Sequence, residues 1–241
     1  MKELNNIDKS DSKNWQKGVE NMFQEIADTY EKINTFISMG MDRGWRKKLL
    51  KRLNQYFDSS APVLDIGCGP GSLSALAKTQ LPEARIISSD ICPRFLELAA
   101  NSGNSHEILR LSASDLPLKA ESCSAVTSSF VLRNLPDVKR FYTDCHRILK
   151  PGGVIAMLDL TQPAFKPIGF FHSIYMAIAL PLGAKIYGSK IEAYEYLDRS
   201  IKNCIDPKEM NRLLDECGFE MKHTDSLCMG TVTIYTAVKK A

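Results

Sequence analysis

The spacing of apolar and polar residues changes period along this chain. Between residues 15 and 57, Val19, Met22, Phe23, Ile26, Tyr30 and Ile33 recur at steps of three and four, the repeat of one helix face. A second helix is expected after Met41-Asp42. From Ala61 to Leu160 short apolar runs alternate with amphipathic ones. Strands are expected at Val63–Ile66, Arg85–Ser89, Glu107–Leu111, Ala125–Ser129 and Val154–Leu158. Helices fall between them, the clearest being Val138–Leu149, capped by Asp137 and stopped by Lys150-Pro151-Gly152-Gly153. Near the end, Asp206 caps a helix with Pro207 in its first turn and Glu209 three residues on, and Gly218 closes it. Two alternating runs, Phe219–Leu227 and Thr231–Val238, then read as a terminal antiparallel pair. The pattern predicts an α/β fold with a doubly wound, mostly parallel, seven-stranded sheet.

Residues 161–205 break the alternation. Phe165 to Tyr187 is rich in aromatic and aliphatic residues, with Pro181 and Gly183 near its centre and Gly188 just beyond. Its unbroken apolar run, Ile174 to Leu180, is too short to span a membrane. The segment is either a buried helix pair or an apolar wall for a greasy ligand, and periodicity does not choose. The expected organisation is a polar, disordered Met1–Asn14 without a signal core, then one domain over 15–241. Within it, 15–57 forms a helical lid and 161–205 an apolar helical insertion.

The chemistry centres on Val63-Leu-Asp-Ile-Gly-Cys-Gly-Pro-Gly71, a strand running into three alternate glycines and then a helix from Ser72. Gly67, Gly69 and Gly71 would let a ligand approach the backbone, where any Cβ would hold it off. The third glycine comes one residue too early for a dinucleotide fingerprint. Asp65 precedes the turn, where it can pair with a cationic group such as the amino group of S-adenosylmethionine. Asp90 ends the second strand, where a carboxylate suits two ribose hydroxyls. The competing reading is a structural turn in some other α/β protein. Ligands in such sheets sit at the C-terminal strand ends, which places Gly67, Asp90, Ser112, Ser129 and Asp159 around one crevice.

Composition narrows the partners. The net charge of +3 on 241 residues, with no appended module, argues against nucleic acid. Seven cysteines without a Cys-x-x-Cys pair, and four dispersed histidines, point to reduced thiols in a cytoplasmic compartment and to no metal site. Arg43, Lys47 and Lys51 form one basic row, Lys48 and Arg52 another. Each is either a solvated face or a membrane-surface patch.

Several blocks together carry a resemblance. They are Phe23-x-x-Ile-Ala-x-x-Tyr-x-x-x-Asn34, Ser38-x-Gly-x-Asp-x-x-Trp45, the glycine turn, Ser129-Phe-x-Leu-Arg-Asn134, Arg147-x-Leu-Lys-Pro-Gly-Gly153 and Ala193-Tyr-x-Tyr-Leu-x-x-Ser-Ile201. From about Phe23 to Lys239 the chain resembles the ubiquinone/menaquinone-biosynthesis C-methyltransferases of the class I S-adenosylmethionine-dependent fold. The resemblance implies S-adenosyl-L-methionine as cofactor. It places Pro70 in the turn, Asp90 at the ribose, Ser112 and Ala113 at the adenine and Ser129 beside the methionine part. It also implies methylation of a ring carbon on a polyprenylated quinol, either demethylmenaquinol or a 6-methoxy-benzoquinol. This chain departs from the family pattern at Ser112 (commonly Asp or Asn), Asp159 (Glu), Tyr235 (His) and Ala237 (Gly).

A ring carbon becomes nucleophilic when a neighbouring hydroxyl loses its proton. Arg133, just past strand four, is the candidate to stabilise that oxyanion, with Asn134 and a water carrying the proton and Tyr30 bonding the ring. Each has a plainer alternative: Arg133 as partner of Asp137 or Asp159, Asn134 as shaper of the loop before Pro136, Tyr30 as a core aromatic. The expected setting is cytoplasmic, with peripheral contact to the inner face of the membrane. A homodimer or a quinone-biosynthesis complex is the expected assembly. The competing functions are a small-molecule or sterol-type methyltransferase of the same fold, or a catalytically silent cofactor-binding scaffold.

Overall fold

The computed structural model describes residues 9, 11–103, 107–163, 165–189, 196, 200–201 and 204–240. Seven strands form one sheet in the order β3-β2-β1-β4-β5-β7-β6. They are β1 Val63–Ile66, β2 Ile86–Asp90, β3 Glu107–Arg110, β4 Cys123–Ser129, β5 Leu149–Leu160, β6 Phe219–Leu227 and β7 Val232–Lys239. The first five are parallel, and β7 lies antiparallel between β5 and β6. The helices are α1 Ser12–Ile37, α2 Asp42–Asn54, α3 Ser72–Gln80, α4 Pro93–Asn101, α5 Val138–Ile148, α6 Lys166–Tyr187 and α7 Pro207–Glu216.

Alternation along the strands builds two cores. On β5, Val154, Ala156 and Leu158 face Leu49, Leu50 and Leu53 of α2 together with Leu73 of α3. Ile155 and Met157 face the other way, onto Phe141 of α5 and Leu214 of α7. A one-residue slip would exchange these faces, so burial on both sides fixes the register. Asp137 and Asp206 cap α5 and α7 as expected, accepting from the backbone N–H of Arg140 at 2.9 Å and Lys208 at 2.8 Å.

Three expectations change. The first helix starts at Ser12, because the Asp11 side chain accepts from Asn14 N at 3.3 Å and caps it. Of the polar N-terminal stretch, residues 1–8 and 10 lie outside the described residues, as does most of the 193–201 block. Strand five is longer than expected at both ends, and Leu149 already pairs with Cys123. The apolar insertion does not break at its centre: α6 is one helix that continues through Pro181 and Gly183. Pro181 and Ala177, the residue whose carbonyl loses its N–H partner, both lie on the exposed side. The small Gly183 lets α1 approach, since a Cβ there would lie 3.1 Å from Phe36.

The inner face of α6, with Met176, Leu180 and Ala184, packs on Ile33 of α1. Its outer face leaves Phe170, Phe171, Ile174, Ile178, Leu182 and Ile186 exposed. By length and composition Pro167–Tyr187 is apolar enough to cross a membrane, at mean hydropathy 1.4.

Candidate functional site

The three glycines of the turn have three different reasons. A Cβ on Gly67 would lie 2.2 Å from Val131 Cγ2, so this glycine admits a protein neighbour while also lining the crevice. Gly69, at φ +55°, has nothing within 4 Å of its would-be Cβ and lines the crevice. Gly71, at φ +88°, is the N-cap of α3 in the left-handed region. Gly69 offers the open backbone that a ligand needs.

Two carboxylates frame this turn. Asp90 accepts from Gly69 N and Cys92 N, both at 2.9 Å, and so holds the turn against the end of β2. Burial pushes its pKa up to about 6 despite those N–H donors. Asp65 lies beneath the turn, 1% exposed, with one oxygen accepting from Ser74 Oγ at 2.6 Å. Burial raises its pKa to about 7, and its Oδ1 has no hydrogen-bond partner among the described residues.

The crevice over the strand ends gathers Gly67, Gly69, Pro70, Asp90, Ser112, Ala113 and Ser129, together with Tyr30 and Asn134. Ser112 is engaged locally, its Oγ accepting from Ser114 N at 3.1 Å. α1 forms the roof through Val19, Phe23 and Tyr30. Trp15 fastens that roof, donating from Nε1 to Asn134 O at 2.8 Å. Tyr30 packs its ring against Phe23 and Phe95, 5.5 and 5.2 Å between centroids. The Asn134 amide is also committed, accepting from Tyr196 Oη at 3.0 Å and donating to Phe130 O at 3.3 Å.

Asp159 does not join this crevice. It shares the face of Ile155 and Met157, and there the turn after β4 brings Arg133 to it. Arg133 Nη1 donates to Asp159 Oδ1 at 2.7 Å and to Phe130 O at 2.7 Å, and Arg133 N donates to Asp159 Oδ2 at 3.1 Å. Burial alone would lower the arginine's pKa, yet the Asp159 carboxylate keeps it above the ordinary value.

Arg133 lines instead a second, apolar cavity of about 470 Å³, between α1, α2, α6 and the turn before β7. That volume suits a small-molecule ligand. Phe130 and Asn34 line both this cavity and the crevice, so the two adjoin. Phe130 has φ +66°, an unusual conformation for a bulky residue. Of the departures in the last strand, Ala237 is buried in the core, whereas Tyr235, though buried, lines a further cavity of about 630 Å³ together with Arg133 and Asp159.

Sequence reasoning missed Arg46, Glu31, Phe130 and His172, of which the first three line the crevice and His172 the cavity. Arg46 had a signal: it falls in register with Leu49, Leu50 and Leu53, on the apolar stripe of α2, with Asp42 four residues before it. A charge on that stripe, with a carboxylate one turn away, is a buried pair in waiting. The second basic row is not free either, because Lys48 and Arg52 both pair with Asp225 of β6, at 3.0 and 2.7 Å.

The arrangement fits an adenosyl amino acid. Gly69 has open space before it, Asp65 keeps an unpartnered buried oxygen, and Asp90 and Ser112–Ala113 follow along the strand ends. Among solved structures, magnesium protoporphyrin IX methyltransferase from Synechocystis PCC 6803, with bound SAH, matches 93% of this chain and 100% of its own at TM-score 0.67 and 16% identity. A possible histamine N-methyltransferase from Thermotoga maritima matches 92% and 99% at TM-score 0.65 and 19% identity. Among sequences, demethylmenaquinone methyltransferase of Tropheryma whipplei is 32% identical over 92% of this chain and 91% of its own. The Lactobacillus johnsonii protein of that name is 32% identical over 93% and 94%, and the Staphylococcus aureus one 29% identical over 96% and 97%. The family model described as ubiE/COQ5 methyltransferase matches residues 9–239, so the chain belongs to that family and is an S-adenosylmethionine-dependent methyltransferase.

Proposed function

We propose that this enzyme methylates a ring carbon of a polyprenylated quinol, with demethylmenaquinol the favoured acceptor. The observation that carries the reading is the apolar cavity beside the cofactor crevice, with Arg133 in its lining and Phe130 at the boundary. Three curated relatives are named for demethylmenaquinone, which favours the naphthoquinol over the benzoquinol.

S-adenosylmethionine, when bound, supplies a sulfonium methyl group as the electrophile. The protein holds the acceptor ring in the cavity and turns its nucleophilic carbon toward the crevice past Phe130. Arg133 stabilises the phenolate form of the ring hydroxyl, since a guanidinium stays charged at any working pH. Asp159 and the Phe130 carbonyl fix its direction. Water carries the phenol proton away, and once the methyl group is on the ring the same carbon loses its hydrogen as a proton, which restores the aromatic ring. Asn134 positions the turn and does not relay protons, as its amide is bonded on both sides.

The prenyl tail leaves through the cavity mouth to a lipid surface. Met39, Met41, Phe171 and Met229 line the cavity and are themselves exposed, Met229 to 76%. The apolar face of α6 continues from that rim. Arg43 follows two residues after Met41, and Lys47 and Lys51 extend the exposed row. An apolar rim with a basic flank suits an anionic bilayer surface.

The test is methyl transfer from labelled S-adenosylmethionine to reduced, short-tailed demethylmenaquinol and to a 6-methoxy-benzoquinol under anaerobic conditions. Turnover of the first at the higher kcat/KM is expected. Transfer to neither, with cofactor binding intact, would favour another acceptor or a scaffold.

A further inference from the structure

We propose that Arg46, carried by α2, binds the α-carboxylate of the cofactor's amino-acid part. The strand order sets which end of the crevice it occupies. Ser112 and Ala113 lie beyond β3, at one edge, whereas Phe130 ends β4 at the other, with β2 and β1 between. Arg46 lies at the Phe130 end, its guanidinium carbon 5.5 Å from that ring. Its charge also lowers the pKa of Asp65 beneath the turn.

Arg46 is 7% exposed and lines the crevice. Nη1 is paired with Asp42, which also accepts from Ser38 Oγ at 3.2 Å. Nε is buried without a hydrogen-bond partner among the described residues. A guanidinium anchored through one nitrogen with another unspent is held in place for a second oxyanion. Burial in the α2 stripe alone would not require that the side chain reach the crevice wall.

The neighbouring charges match the rest of a zwitterion. Glu31 of α1 lines the same end, and burial raises its pKa while Arg46 opposes that rise. Asp65 lies below, outside the crevice wall, with its unpartnered oxygen. The ammonium group thus has the Glu31 carboxylate at hand, while Arg46 is the cation for the carboxylate. The cofactor would thereby join α2 to the glycine turn.

This inference rests on the family's cofactor and not on the identity of the acceptor. It is tested by calorimetric titration without acceptor, using S-adenosylhomocysteine and 5′-methylthioadenosine, which lacks the amino-acid part. In the Asp42→Asn/Arg46→Gln variant, which leaves neither charge stranded, the Kd for S-adenosylhomocysteine should rise roughly tenfold or more. That for methylthioadenosine should not change. Arg46→Lys should recover part of the loss. Equal weakening of both ligands would make Arg46 a structural residue of α2, and an unchanged S-adenosylhomocysteine affinity would also overturn the assignment.

Discussion

Arg133 and Asp159 meet twice: the guanidinium lies 2.7 Å from one carboxylate oxygen, and the arginine's backbone N–H donates to the other at 3.1 Å. Both side chains are 5% exposed. A buried carboxylate without its cation is strongly unfavourable, so the pair forms wherever the fold brings the two together. Arg133 also lines the apolar cavity, and with Asp159 a further one.

Breaking one side strands the other. Arg133→Met and Asp159→Asn should each lower stability by about 3 kcal/mol. The double variant should recover most of that in urea denaturation while methyl transfer stays lost. Recovery of turnover along with stability would reduce the pair to scaffolding.

Cofactor affinity should depend on pH through the carboxylates at the turn. Asp90 has a native pKa near 6, above its ordinary 3.8, so the folded protein holds a proton that the unfolded chain has released. Its contribution to apo stability is full below about pH 4 and is lost as pH rises through 6. Ribose hydroxyls donate to the ionised form, so affinity moves the other way. The Kd for S-adenosylhomocysteine should rise below pH 6, by up to about tenfold per unit, and Asp90→Asn should remove that limb. A Kd independent of pH between 5 and 8 would place the ribose elsewhere.

The glycines should separate folding from binding. Gly67→Ala would drive a Cβ into Val131 and should destabilise the protein, with Val131→Ala restoring part of the loss. Gly69→Ala meets no protein atom and should cost only about 1–2 kcal/mol of left-handed backbone strain. It should nevertheless weaken S-adenosylhomocysteine binding by more than its stability loss explains, as read by paired melting and titration experiments.

Charge removal at the rim should weaken membrane contact. Arg43→Gln, Lys47→Gln and Lys51→Gln together should reduce co-sedimentation with anionic vesicles, by about 1 kcal/mol for each charge that touches the surface. Binding to neutral vesicles should barely change. Lys48→Gln should matter less, because Lys48 is already paired with Asp225. Unaltered sedimentation would return the row to solvated surface.

What could be read from the sequence is what a few adjacent residues decide. Val63–Ile66 is a strand in both views, Asp90 closes the next one, and Asp137 caps the helix it precedes. Periodicity, caps and glycine turns act within a turn or two of chain, so they brought most of the crevice residues together before any contact was known. The remainder depended on partners far along the chain. Arg133 reaches across 26 positions to Asp159, and Trp15 across 119 to Asn134. Gly67 owes its identity to Val131, and Arg46 faces inward only because α2 lies on the sheet beside the glycine turn. α6 runs through Pro181 because the proline's open side meets solvent while its other face packs on α1. Local pattern determined the fold and the cofactor turn. Which charges are buried together, and which apolar face stays bare, was decided by tertiary packing, because desolvation depends on what covers a residue and not on what precedes it.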